Sequence, residues 1–180
     1  MAIHQSFKKV ASSSTLFLSA IAFAAISSAA TILYAAANFS GEWKLNEQKS
    51  ELGQFGGRMA ARKMVITGQA ENLSIQRSST SQDGQEVNTS EKLTFDGKPS
   101  ESTVFGNSKK SSSSKWSDDG QTLNVASTII LDRNGETIEI KVTEVWKLID
   151  GGNALSIEST SNSTFGTNTM KLVYDKVNSK

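Results

Sequence analysis

From Asn46 to the C-terminus, turn chemistry returns roughly every ten residues. It falls at Gly68 to Asn72, Asp83-Gly84, Asp96-Gly97, Asp118-Asp119-Gly120, Arg133-Asn134-Gly135, Asp150-Gly151-Gly152 and Asn162 to Gly166. Between these points lie alternating segments rich in Val, Ile, Thr, Ser and aromatic residues. Asp-Gly and Asn-Gly pairs flanked by period-two alternation are the signature of hairpins, so the chain reads as an antiparallel all-β meander. The pattern predicts strands over 39–46, 63–68, 72–80, 86–95, 101–106, 109–117, 122–131, 136–148, 154–163 and 167–177.

In the first of these, Phe39, Trp43 and Leu45 share one parity and so one face of a strand, while Gly41 leaves room beside the Trp for a backbone or ring to approach. A weak repeat runs through the later strands. Trp116, a turn and Leu123-x-Val125 are echoed by Trp146, a turn and Leu155-x-Ile157, and by Met64 and Ile66 before Leu73-x-Ile75. These hairpins would fall at one end of the sheet with their large side chains. Followed inward, that parity turns polar: Leu73 and Ile75 lead to Arg77 and Ser79, Phe95 and Leu93 to Glu91 and Thr89, and Trp116 to Ser114, Ser112 and Lys110. Leu123 and Val125 lead to Ser127 before Ile129 and Leu131, Trp146 leads to Glu144, and Leu155 and Ile157 lead to Ser159 and Ser161.

A sheet of this many strands curls or closes, and closure removes its exposed edges. The expected fold is therefore an antiparallel up-and-down β-barrel of about ten strands, apolar at one end and lined by a polar belt in its middle. The long connection from Glu47 to Arg62 would sit at the opposite, open end as a short lid segment between strands 1 and 2. Gly53, Gly56 and Gly57 argue against a long helix there.

The segment ahead of this domain has a different character. Lys8 and Lys9 precede an apolar run from Leu16 to Ile26, and small residues follow up to Ala35-Ala36-Ala37. That order matches a secretory signal, with cleavage expected after Ala37, and divides the chain into a leader (1–37) and a barrel domain (38–180). The rival is an uncleaved anchor, since 16–37 is about long enough to span a bilayer, although Ser19, Ser27, Ser28 and Thr31 weaken it. A periplasmic or secreted location is the expectation, with no stable membrane insertion once the leader is removed.

Elimination narrows the chemistry. The chain has no Cys, and its one His, His4, lies in the leader, so thiolate nucleophiles, Ser-His-Asp triads and His/Cys metal sites are absent from the mature part. No acidic cluster of the EF-hand kind is present either. Without the leader's two lysines, 17 basic groups face 18 acidic ones, which gives no electrostatic case for nucleic acid or anionic membrane.

Phe39-x-Gly41-x-Trp43-Lys44-Leu45, Ala61-Arg62-Lys63 and Val173-Tyr174-Asp175-Lys176-Val177 resemble the intracellular fatty-acid-binding branch of the calycin superfamily, and Gly-x-Trp alone is also the first-strand element of lipocalins. The resemblance implies a β-barrel with a solvent-accessible cavity for small hydrophobic molecules and a lid between the first two strands. It covers the two ends and the strand count. In the fatty-acid-binding branch an Arg-x-Tyr on the last strand holds the ligand carboxylate; here Tyr174 matches the Tyr, but Leu172 stands in the Arg position. That branch is cytosolic, so a secreted bacterial lipocalin-like domain is the better match.

The residues singled out for ligand contact are Arg77, Glu91, Ser127, Glu144 and Tyr174. Arg77 facing a cavity would partner a ligand carboxylate or phosphate; equally, it would pair with an inward carboxylate such as Glu91, or a bulge would turn it to solvent. Glu91 and Glu144 on otherwise apolar faces need a partner, water or a proton. Trp43, Trp116 and Trp146 read as core plugs at the hairpin end. The chain thus reads as a monomeric exported protein holding a hydrophobic or amphipathic molecule in its lumen, with no cofactor, metal or catalysis. The competing readings are an envelope structural or interaction module with a self-filled barrel, and an isomerase or hydrolase using Glu91 or Glu144 as general base.

Overall fold

The computed structural model describes residues 35–53, 60–81, 83–104, 108–133 and 135–177. The leader therefore lies outside the described residues except for Ala35 to Ala37. Ten strands follow one another: β1 (Gly41–Leu45), β2 (Lys63–Gly68), β3 (Asn72–Thr80), β4 (Glu86–Thr94), β5 (Ser100–Val104), β6 (Ser108–Trp116), β7 (Thr122–Arg133), β8 (Glu136–Ile149), β9 (Ala154–Ser163) and β10 (Gly166–Lys176). Their positions follow the turn rhythm closely.

All described pairings are antiparallel, in the order β4-β3-β2-β1-β10-β9-β8-β7-β6-β5. Closure thus comes from β1 pairing with β10, with Trp43 opposite Lys176 and Leu45 opposite Tyr174. One seam remains, between β4 and β5, where consecutive strands form no ladder. Side chains bridge it instead: the Ser100 hydroxyl donates to the Lys92 carbonyl (2.5 Å) and the Ser114 hydroxyl to the Thr94 carbonyl (2.8 Å). The barrel is nearly closed rather than continuous.

The apolar base forms as the parity predicts. Leu73, Leu93, Leu123, Trp146 and Leu155 are buried at the end that holds the β2-β3, β4-β5, β6-β7 and β8-β9 turns. Phe39 does not open β1, as the alternation suggests. It precedes the strand and plugs the base, fully buried, stacked on Trp116 at 5.4 Å and edge-on to Trp146 at 6.0 Å. The Trp43 indole NH donates to the Phe39 carbonyl (2.9 Å), which ties the plug to the first strand. Gly41 keeps that corner open: its φ is +141°, and a Cβ would stand 3.0 Å from Cε of Lys176, whose ammonium lies over the Trp43 ring.

The segment after β1 stays on the barrel wall. Asn46 donates from its backbone to the Val173 carbonyl (2.8 Å), and Glu51 and Lys171 exchange backbone hydrogen bonds of 2.7 and 2.9 Å. Leu52 packs against the core, and Ala60 and Ala61 are buried in it. The described part of the expected lid is non-helical and contributes apolar surface to the barrel; residues 54–59 lie outside the described residues.

Candidate functional site

Above the base, strand alternation brings four ionisable side chains into one layer of the interior. Arg77 on β3 and Glu91 on β4 are diagonal neighbours, since Ile75 faces Glu91 and Arg77 faces Thr89 across the ladder. They form a salt bridge. Lys110 and Ser112 on β6 reach the same carboxylate across the β4-β5 seam, at 2.7 Å from the ammonium and 2.8 Å from the hydroxyl. The Ser127 hydroxyl on β7 then donates to that of Ser112 (3.0 Å).

Glu91 is thus a hub, 7% exposed, with a partner from each side of the seam. Burial alone would push its carboxyl up. The charges of Arg77 and Lys110, with hydrogen bonds from Lys110 and Ser112, outweigh that and hold it down at about 2. Arg77 shows the mirror image: burial works against its charge, but Glu91 and then Glu144 overcome this and raise its pKa. The guanidinium also lies 5.5 Å from the Trp146 ring centre, a cation–π distance.

Glu144, on β8, is held more loosely. Its Oε2 accepts from the Trp146 indole NH at 3.1 Å and lies 4.0 Å from Arg77 Nη2. Tyr174 on β10 is 1% exposed, and burial pushes its hydroxyl pKa up, with Arg77 working against this and Glu144 adding to it. The structure therefore brings Arg77, Glu91, Ser127 and Glu144 into one interior layer, with Tyr174 buried in the apolar core within electrostatic reach of Arg77 and Glu144. Lys110 and Ser112 belong to the layer as well; their inward parity is visible in sequence, but the carboxylate they meet is not. Among the described residues no cluster of three or more His, Cys, Asp or Glu is placed to hold a metal ion.

The upper half of the interior is lined differently. Ile129 and Ile138 are buried there, whereas Val87, Val104, Leu131, Ile140 and Val142, which share the inward parity, are only half-buried. Apolar surface on the inner wall above the charged layer thus remains partly accessible.

No protein-family model matches the sequence, and no curated protein matches it at a significant level. The crystal structure of zebrafish ileal bile acid-binding protein complexed with cholic acid is similar to this chain at 15% identity and a TM-score of 0.49, covering 77% of this chain and 98% of that one. So distant a likeness carries nothing about what this chain binds.

Proposed function

We propose that this is an exported, monomeric binding protein that takes a hydrophobic or amphipathic small molecule into the upper half of its barrel, without catalysis or cofactor. The observation that carries the reading is the contrast in exposure along the inner wall. Inward residues at the base, such as Leu123 and Leu155, are fully buried, while Val87, Val104, Leu131, Ile140 and Val142 face inward yet keep accessible surface. Covering that surface with ligand would contribute about 25 cal/mol per Å² of apolar area, with polar contacts setting orientation. Export rests on the leader: Lys8 and Lys9, the apolar run and the small residues to Ala37.

A second reading, a structural envelope module with a self-filled barrel, draws support from Glu91, whose carboxylate is already matched by Arg77, Lys110 and Ser112. Native mass spectrometry of residues 38–180 purified from the exported fraction separates the two. The binding reading expects a stoichiometric small molecule, displaced when Val142→Trp fills the lumen of a protein that remains folded by circular dichroism. A ligand-free mass, together with unchanged tryptophan emission on titration with lipids and aromatic compounds, would overturn it in favour of the structural module.

A further inference from the structure

The charged layer beneath the accessible apolar wall says what kind of polar end a ligand can present. It contains the cations Arg77 and Lys110 and the carboxylates Glu91 and Glu144, so its charges already balance. Both cations are committed to Glu91, and Arg77 is further held over the Trp146 ring. An incoming carboxylate would have to compete with Glu91 for them and would leave the layer with an uncompensated negative charge, which is costly away from water. An incoming ammonium would leave the opposite excess.

Glu144 is the group with capacity to spare. A carboxylate accepts at two oxygens with about four lone-pair sites. Among the described residues, Oε2 receives the Trp146 indole and stands 4.0 Å from Arg77, and Oε1 receives no hydrogen bond. Its side chain keeps 17% of its surface accessible, against 5% for Glu91. It lies on the same inward face of β8 as Val142 and Ile140, which precede it along the accessible wall. A donor entering along that wall meets a carboxylate able to accept.

Resting on the binding function proposed above, we infer that the ligand is an uncharged amphiphile whose polar end is a hydroxyl, donated to Glu144, and not a free fatty acid. The position of Trp146 makes the contact observable, because its indole NH donates to Oε2 of the same carboxylate and so senses a new donor on Oε1.

The test compares three probes with one tail, 1-dodecanol, dodecanoate and dodecylammonium, titrated into residues 38–180 while tryptophan emission is followed. Wild type and the Glu144→Gln and Glu144→Leu variants are compared, with circular dichroism confirming that each is folded. The expected result is dodecanol binding at least about tenfold more tightly than either charged probe, the preference falling by about that factor in Glu144→Leu while the tail still binds. Glu144→Gln, which keeps an acceptor and the shape, should retain part of it. Equal affinities, a preference for either charged probe, or a preference unchanged in Glu144→Leu would each overturn the inference while leaving the binding function standing. Failure of all three probes to bind, together with a ligand-free native mass, would overturn both.

Discussion

Replacing Glu91 with Gln removes the charge shared by Arg77, Lys110 and Ser112 while keeping the side chain's shape. The carboxyl is held at about 2 against an ordinary 4.5. At roughly 1.4 kcal/mol per pH unit, that gap corresponds to about 3 kcal/mol of native stability at neutral pH, near the range for breaking a buried pair. Because the pKa of the folded state lies below that of the unfolded state, the contribution is complete above about pH 5 and disappears as the pH falls through 4.5 toward 2. Urea unfolding followed by tryptophan emission reads this directly. Wild type should exceed Glu91→Gln by about 3 kcal/mol near neutral pH and by much less near pH 2, both measured on 38–180. The exposed carboxyls Asp83, Asp96, Asp119 and Asp175 are also shifted down but are common to both proteins, so they cancel in the difference. A gap that stays constant from neutral to acid pH would refute the reasoning, since it would assign the loss to packing or to an unsatisfied amide rather than to charge.

Phe39→Ala, which empties the plug beneath Trp116 and Trp146, should cost about 3 to 5 kcal/mol in the same urea assay and shift tryptophan emission to the red; a loss under about 1 kcal/mol would mean that the base does not depend on it. Gly53→Ala should cost more than about 1 kcal/mol in thermal or urea unfolding, because φ is +65° and the new Cβ would stand 2.7 Å from the Thr169 carbonyl oxygen; unchanged stability would show that the segment after β1 is free of β10.

The number of strands, their positions to within a few residues, and the parity that faces inward are all written locally in the chain, because turn residues and alternation are properties of a few neighbouring side chains. For that reason Arg77, Glu91, Ser127 and Glu144 are all legible as inward groups from alternation alone. Phe39 also fits the alternation and so reads as part of β1; it takes Trp116 and Trp146, brought across the base, to turn it into a plug. The convergence of Arg77, Lys110 and Ser112 on one carboxylate, with an acceptor left in reserve on Glu144, arises only in the folded barrel. Two of these contacts, from Lys110 and Ser112 to Glu91, cross the β4-β5 seam, where no hydrogen-bond ladder sets a register. There the curvature of the whole barrel, summed over the pairings from β4 round to β5, sets the distance between the two edges, and no single stretch of sequence encodes it.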